Sequence, residues 1–247
     1  MKIYDSALAK YDREVSLAEN LERIQQRIAA ACTRAGRNPE TVTLLGVTKT
    51  HPAEVVAEAV QAGLLHFGEN KVQEARAKIP HCPGRAHWHF IGHLQSNKCR
   101  EAVELFEMIE SVDSIALARE IDKRAGQAGK TMPVLLEVNV AGEASKFGYP
   151  PERMLAELFE LNGLAHIEVH GLMAVPPFAP VAERTREHFR RLRELKQQAE
   201  TVLGAPLPQL SMGMSTDFEV AIEEGATIVR VGTALFGARH YPGRSAD

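Results

Sequence analysis

The chain has 247 residues, of which 45% are hydrophobic and 25% are charged, an ordinary composition for a globular protein with a large core. Its net charge of −3 excludes the strongly basic surface typical of proteins that bind nucleic acid or anionic membranes. Its apolar runs are too short to cross a bilayer, and its first residues lack the apolar segment of a signal peptide.

The three cysteines, Cys32, Cys82 and Cys99, are an odd number without the spacing of a metal site. We therefore expect no metal and no disulfide framework. A reducing, cytoplasmic environment is the simplest interpretation of unpaired cysteines.

Strand-like and helical segments alternate along the chain, with no linker and no low-complexity region between them. An amphipathic helix is expected first, at 12–35, with Gly36 at its C-terminal end. The expected strands are 43–48, 64–67, 88–91, 108–112, 133–140, 168–173, 209–211 and 227–231. The expected helices between them are 52–62, 71–79, 96–105, 114–128 (capped by Asp113), 151–161, 181–203 and 215–224, and a short helix follows the last strand.

Eight strand–helix units in about 250 residues are typical of one (β/α)₈ barrel of the TIM type. We therefore expect a single α/β domain over residues 1–247, with an extra N-terminal helix. A doubly wound open sheet is the alternative. It normally carries a glycine-rich fingerprint after its first strand, and Gly46-Val47-Thr48-Lys49 is not one.

The first strand ends in Lys49, and Pro52 then opens a helix. A buried ammonium without a partner is costly, but at the carboxyl end of a barrel strand it points into the mouth where ligands bind. Desolvation there lowers the pKa of a lysine and frees its amine to attack a carbonyl. The alternative is a lysine whose side chain extends to water.

Two glycine-containing loops follow the seventh and eighth strands, the usual phosphate positions in such barrels. The first is Ser211-Met212-Gly213-Met214-Ser215-Thr216-Asp217, and the second is Arg230-Val231-Gly232-Thr233-Ala234. Each loop combines a glycine, which lets an anion approach the backbone closely, with hydroxyl donors at the start of a helix. Either loop alone could hold simple helix caps, at Ser215 or Thr216 and at Thr233. Both together favour a phosphate.

Other strand ends at the same mouth are also polar. The second strand is followed by Glu69-Asn70-Lys71, and the third by His93 and Gln95-Ser96-Asn97-Lys98. The fifth leads into Asn139, with Lys146 beyond it, and the sixth ends at Met173. Each of these positions is either a functional group or an ordinary cap at a solvated rim.

Six segments, in this order, resemble the pyridoxal phosphate homeostasis protein family over nearly the whole chain. They are Gly46-Val47-Thr48-Lys49, Phe67-Gly68-Glu69-Asn70, His89-Phe90-Ile91-Gly92-His93-Leu94-Gln95-Ser96-Asn97-Lys98, Gly171-Leu172-Met173, Leu210-Ser211-Met212-Gly213-Met214-Ser215 and Val229-Arg230-Val231-Gly232-Thr233-Ala234-Leu235-Phe236-Gly237. The family departs from this chain at Lys146-Phe147-Gly148, where a small polar residue is expected in the middle. That departure leaves a secondary role for Lys146 open.

The resemblance implies a barrel of the alanine racemase N-terminal type (fold type III) that binds pyridoxal 5′-phosphate, PLP, as a Schiff base on Lys49. It implies that Arg230 faces the pyridine nitrogen. It also implies that the phosphate lies on Ser211, Gly232 and Thr233. We expect Ser215 to be a further donor, because its loop follows the seventh strand. The remaining cofactor-binding residues expected are Asn70, His93, Met173 and Met212. No catalytic residue is expected.

Arg230 also favours a binding protein over an enzyme, because a fixed positive charge opposite the pyridine nitrogen weakens the ring as an electron sink. A racemase of this barrel type would need a second domain with an acid/base residue, and we expect none here. The four tyrosines, Tyr4, Tyr11, Tyr149 and Tyr241, offer no evident substitute. A PLP-dependent racemase or lyase remains the alternative, followed by a Schiff-base aldolase or phosphosugar enzyme without PLP.

The implied function is intracellular PLP homeostasis, in which the protein buffers the cofactor or delivers it to recipient apoenzymes through transient contacts. A monomer is expected, because no long exposed apolar strand or heptad run demands a partner.

Overall fold

The computed structural model describes residues 16–143 and 146–237. Its strands are β1 (Thr43–Val47), β2 (His66–Glu69), β3 (His87–Phe90), β4 (Met108–Val112), β5 (Met132–Glu137), β6 (Ile167–Met173), β7 (Gln209–Ser211) and β8 (Ile228–Val231). The helices are α1 (Leu17–Arg34), α2 (Ala53–Gln61), α3 (Val72–Lys78), α4 (Cys99–Leu105), α5 (Ile115–Gln127), α6 (Pro151–Asn162), α7 (Arg186–Leu203), α8 (Phe218–Glu223) and α9 (Thr233–Phe236). Short 3₁₀ helices lie at Pro39–Thr41, Ile79–His81, Ser96–Lys98 and Ala182–Thr185.

The eight strands form a closed parallel barrel in sequence order. Strand β1 pairs with β8 to close it, with Leu45 opposite Arg230 and Gly46 opposite Val231. The structure thus confirms the predicted (β/α)₈ barrel and rules out the open doubly wound sheet. Closure brings the carboxyl ends of all eight strands to one mouth. Within the described ranges, no helix is both long and apolar enough to span a membrane.

Helix α1 packs on α8 and α9 beside the barrel. It begins with a reciprocal capping box, in which the Ser16 side chain accepts from the Glu19 N–H and the Glu19 carboxylate accepts from the Ser16 N–H. Residues 12–15 of the predicted helix lie outside the described residues. The helix ends at Arg34 with Ala35 as its C-cap, one residue before the predicted Gly36.

Two apolar cores hold the barrel. The larger one lies between the strands and the surrounding helices, and a small one inside the barrel contains Leu45, Leu135, Met173 and Ile228. Because successive strand residues point to opposite faces, these four residues identify the inward-facing positions of β1, β5, β6 and β8.

Several predicted boundaries were wrong. Strand β2 lies at His66–Glu69 instead of 64–67, and α7 begins at Arg186 instead of 181, after a 3₁₀ helix. Three further differences have a physical reason in the contacts. Strand β5 ends at Glu137, not residue 140, because the following segment pairs with Tyr149, whose N–H donates to the Glu137 carbonyl. Ser114, not Asp113, caps α5, since its hydroxyl accepts from the Leu117 N–H. The helix predicted from 215 begins at Phe218, after a turn in which the Met214 N–H donates to the Asp217 carboxylate at 2.7 Å.

Candidate functional site

Lys49 lies two residues beyond the end of β1, at the mouth of the barrel. Strand alternation gives it the same facing as Leu45, which lies in the interior core. Its side chain is half-buried. The backbone before it is tied to β2, because the Thr48 N–H donates to the Gly68 carbonyl at 3.2 Å. The predicted lysine therefore reaches the mouth from a fixed strand end.

A buried ion pair supports that strand end. Lys78 Nζ lies 2.5 Å from Glu69 Oε1 and 2.8 Å from the Thr48 carbonyl oxygen. The Thr48 hydroxyl donates to the same Glu69 oxygen at 2.7 Å. Burial raises the pKa of the Glu69 carboxyl, while the Lys78 charge and the bonds from Lys78 and Thr48 oppose that rise. The residue just before Lys49 is thus bonded through both its hydroxyl and its carbonyl.

The turn just after Lys49 is held by the same group of residues. Thr50 adopts a left-handed conformation with φ 68°, which is uncommon for a residue other than glycine. Its N–H donates to Glu74, and Lys78 Nζ lies 3.3 Å from that carboxylate. Both flanks of Lys49 therefore depend on one cluster of buried and half-buried charges.

The two predicted phosphate loops come together in the structure. The Ser215 hydroxyl accepts from the Ala234 N–H at 3.3 Å, and the Arg230 N–H donates to the Gly213 carbonyl at 3.0 Å. Gly213 has φ 89°, and a Cβ there would lie 2.5 Å from the Ala221 Cβ, so a larger residue does not fit. The loops after β7 and β8 therefore form one continuous surface.

The capping interpretation of these loops was wrong. Asp217 occupies the N-cap of α8, and Gly232 occupies the N-cap of α9. Neither Ser215 nor Thr216 is therefore the N-cap of α8, and Thr233 is not that of α9, although the Ser215 hydroxyl accepts from an N–H in the first turn of α9. Both side chains are half-buried, as is Gly232. The first N–H groups of a helix have no intrahelical acceptor. At the start of α9 the Ala234 N–H donates to Ser215, which leaves the Thr233 N–H for an anion in the mouth.

Arg230 is buried at the level just below these loops. Its Nη1 donates to the Ser211 hydroxyl at 2.5 Å, and its Nη2 donates to the Ala174 carbonyl at 2.9 Å. Burial lowers the pKa of the guanidinium, whereas the charges of Glu110, Glu137 and Asp217 raise it. An arginine keeps its charge in proteins, so the site has a fixed cation under its mouth.

The expected cofactor-binding residues Ser211, Met212 and Met173 are all completely buried. Ser211 is fully buried, and its hydroxyl donates to Glu110 Oε2 at 2.5 Å. Met212 lies in the outer core, facing away from the barrel interior. Met173 lies in the interior core. Their cofactor contacts stay predictions, and the Met212 N–H already donates to the Ile228 carbonyl at 3.1 Å.

Asn70 and His93 lie on adjacent loops of the mouth. These loops approach closely because Gly92 has no side chain, and a Cβ there would lie 2.3 Å from the Asn70 carbonyl oxygen. Asn70 is half-buried and His93 is exposed. The His93 ring lies 3.3 Å from the Asp113 carboxylate and stacks on Phe147 at 3.9 Å between ring centroids. Phe147, the departure from the family pattern, therefore covers the rim beside His93.

Three polar residues of the barrel interior were missed by the sequence interpretation: Glu137, Glu110 and His89. Burial and the Asp113 charge raise the pKa of Glu137 to about 7, against the opposing charge of Arg230. His89 Nδ1 lies 2.7 Å from Glu110 Oε1. A signal was present, since each is a polar residue inside a mostly buried strand, where polar side chains require partners.

No cluster of histidine, cysteine and acidic side chains able to hold a metal ion occurs in the described part of the chain. Cys32, Cys82 and Cys99 are free thiols. Burial raises the pKa of Cys99 to about 12, so this thiol stays protonated, and therefore a poor nucleophile, at neutral pH. Of the four tyrosines, Tyr149 is fully buried, and Tyr4, Tyr11 and Tyr241 lie outside the described residues.

Residues 19–240 match the alanine racemase N-terminal domain family. The pyridoxal phosphate homeostasis protein of Aquifex aeolicus is 48% identical over 229 residues, covering 92% of this chain and all of the relative. The protein of the same description from Pseudomonas aeruginosa is 47% identical over 231 residues, covering 92% of this chain and 97% of the relative.

Solved structures of similar proteins agree with these sequence comparisons. PipY of Synechococcus elongatus, in a structure with PLP bound, has a TM-score of 0.78 and 40% identity, covering 90% of this chain and all of PipY. Alanine racemase of Clostridium difficile, at 18% identity and a TM-score of 0.68 over 92% of this chain and 57% of its own, shares the fold. The chain belongs to the pyridoxal phosphate homeostasis protein family, whose barrel is of the alanine racemase N-terminal domain type.

Proposed function

We propose that this protein binds PLP covalently on Lys49 and acts in intracellular PLP homeostasis, as a buffer or carrier of the cofactor. The observation that carries the proposal is the placement of Lys49 at the same mouth as the joined loops of Ser215, Gly232 and Thr233. An amine for the carbonyl and donors for the phosphate are the two anchors that PLP requires. The relatives' description and the PLP-bound PipY structure support the same cofactor.

The residues present fit that cofactor. The hydroxyls of Ser215 and Thr233 and the Thr233 N–H at the start of α9 belong to half-buried residues and are donors of the kind a phosphate dianion needs. Arg230 supplies a fixed positive charge below them. We assign Arg230 to the ring nitrogen, and Asn70 and His93 to the rim of the pocket.

Bound PLP supplies an electrophilic carbonyl carbon and an electron-accepting ring. Arg230 works against the second of these properties, because a guanidinium can only donate and disfavours protonation of the nitrogen it faces. Lys49 is the one base assigned to the cofactor, and a racemase needs an acid/base group on each face. We therefore propose a binding protein without catalytic turnover, which agrees with relatives described as homeostasis proteins rather than enzymes.

We further propose that the chain is one PLP-binding domain that works as a monomer in the cytoplasm and meets PLP-requiring apoenzymes only transiently. The closed barrel supports the monomer, because closure removes the free sheet edges through which strands of two chains pair. Light scattering on the holoprotein tests this state, and a stable dimer would contradict it.

An absorbance spectrum before and after addition of PLP tests the central proposal. Wild type should gain a visible band, and Lys49→Ala should show only free cofactor. If wild type gains no band, the protein does not attach PLP through a lysine. Turnover of alanine, serine or threonine at enzymatic rates, about 1–10³ s⁻¹, would instead establish the racemase or lyase alternative.

A further inference from the structure

The interior of the barrel contains a layer of polar side chains below the mouth, where TIM barrels usually carry branched apolar residues. The layer contains His89, Glu110, Ser211 and Arg230, which are all at least nine-tenths buried. They come from β3, β4, β7 and β8. None of them reaches the exposed surface of the mouth, so the layer supports the site from below.

Hydrogen bonds connect these four residues in a single chain. His89 Nδ1 lies 2.7 Å from Glu110 Oε1, and the other oxygen, Oε2, accepts from the Ser211 hydroxyl at 2.5 Å. Ser211 Oγ in turn accepts from Arg230 Nη1 at 2.5 Å. A serine hydroxyl has one proton, and here that proton goes to Glu110. While this bond holds, the Ser211 side chain cannot donate to a phosphate.

Glu110 is also the counter-ion of the buried guanidinium. Three carboxyl groups act on Arg230, those of Glu110, Glu137 and Asp217. Burial raises the pKa of both Glu137 and Asp217. For Glu110, burial acts in the same direction, but bonds from His89 and Ser211 and the charges of His89 and Arg230 overcome it and lower the pKa. Of the three, Glu110 is the carboxyl whose pKa is lowered, so the contacts around it favour its ionised form.

We propose that Glu110 and Ser211 are positioning residues that hold Arg230 against the ring-nitrogen end of the PLP site, with His89 orienting Glu110. This inference rests on the proposed function and deepens it. Two of the guanidinium nitrogens are fixed, one by Ser211 and one by the Ala174 carbonyl. The charge of Arg230 is therefore set in one place before any ligand arrives. Ser211 acts on the arginine and not on the phosphate.

The test compares Ser211→Ala with Thr233→Ala, using PLP and pyridoxal, both ¹⁵N-labelled in the ring. Ser211→Ala should weaken PLP and pyridoxal binding by the same factor, roughly tenfold. The ¹⁵N resonance of the ligand bound to Ser211→Ala should show that the ring nitrogen takes up a proton as the pH falls from 9 to 6. In wild type, the resonance of the bound ligand should stay at the position of an unprotonated nitrogen. Thr233→Ala should weaken PLP alone and leave the ring nitrogen unprotonated.

Loss of PLP affinity with unchanged pyridoxal affinity in Ser211→Ala would make Ser211 a phosphate donor and overturn the proposal. Unchanged affinity for both ligands would overturn it as well. If Ser211→Ala does not fold, Glu110→Gln, which keeps the side-chain shape, replaces it with the same expected outcomes.

A measurement without ligand separates this proposal from the proposed function. The guanidinium resonances of Arg230 in the apoprotein should show hindered rotation, and Ser211→Ala should release it. If wild type binds neither PLP nor pyridoxal, the proposed function fails. If Ser211→Ala nevertheless releases the hindered rotation of the guanidinium, the positioning of Arg230 by Ser211 stands. A guanidinium that rotates freely in wild type would overturn the positioning role whatever the protein binds.

Discussion

Lys78 Nζ lies 2.5 Å from Glu69 Oε1, and both side chains are almost completely buried beside the strand end that carries Lys49. The ammonium also donates to the Thr48 carbonyl, so the pair is fixed to the residue that precedes Lys49. Isolated ion pairs of this kind are weak evidence for stability, since desolvation offsets much of their attraction. Removing one partner is a different matter, because it leaves an uncompensated buried charge.

We therefore expect Lys78→Met to reduce the free energy of unfolding by about 3–5 kcal/mol. The double variant Glu69→Gln/Lys78→Met should recover part of that loss, because it removes the stranded carboxylate as well. Urea denaturation of the apoprotein measures both effects. Lys71→Met, at an exposed lysine next to the same helix, is the matched control. Equal stability of the Lys78 and Lys71 variants would show that the pair contributes little.

The amine that attaches PLP is predicted to be Lys49. Borohydride reduction of the holoprotein followed by peptide mapping should find the pyridoxyl group on Lys49, because this lysine lies just beyond β1, at the end of the barrel where the loops after β7 and β8 meet. Lys98→Ala and Lys146→Ala should be labelled as fully as wild type. Wild-type label recovered mainly on Lys98 or Lys146 would place the attachment elsewhere.

Thr233→Ala should lower PLP affinity by roughly 1.5–3 kcal/mol, the range for a hydrogen bond to a charged group. Ser215→Ala should act in the same direction, since its hydroxyl lies on the same joined surface. Pyridoxal, which has no phosphate, should bind both variants as it binds wild type. Titration calorimetry with the two ligands measures the difference. Thr216→Ala, at the exposed neighbour of Ser215, should bind PLP normally.

The barrel and the two loops could be predicted because their signals are local. Strand–helix alternation needs only short windows, and Gly213 and Gly232 mark loops at the strand ends where barrels bind phosphate. Strand boundaries were less accurate, because pairing of the segment after Glu137 with Tyr149 is a tertiary contact that no local pattern contains.

The polar layer was not predictable in the same way. Ser211 and Glu110 are 101 residues apart in sequence, and a buried parallel strand shows no alternation that would reveal its inward face. Ser211 therefore looked like a loop donor for a phosphate. Only the barrel register shows that its hydroxyl points to Glu110. The stacking of His93 on Phe147 was not predictable either, because it joins the loops after β3 and β5, which are far apart in sequence.

Glu137 makes stability depend on pH. Its folded-state pKa, about 7, lies above the ordinary value of 4.5, with burial as the main cause. Between these two values the folded protein holds a proton that the unfolded chain has lost, so this carboxyl lowers stability as pH rises from 4.5 through 7. The shift corresponds to at most about 3 kcal/mol. Glu137→Gln removes the ionisation and should stabilise the apoprotein at pH 8, with little effect at pH 4.5.

Denaturant unfolding of the apoprotein at the two pH values, on wild type and Glu137→Gln, measures this difference. Glu152→Gln, at an exposed position on α6, controls for the loss of one acidic charge and should change stability about equally at both pH values. An equal effect of Glu137→Gln at pH 4.5 and pH 8 would mean that Glu137 titrates normally in the fold. A stabilisation confined to high pH would show that the mouth contains a carboxyl half-protonated near neutral pH, beside the positive charge of Arg230.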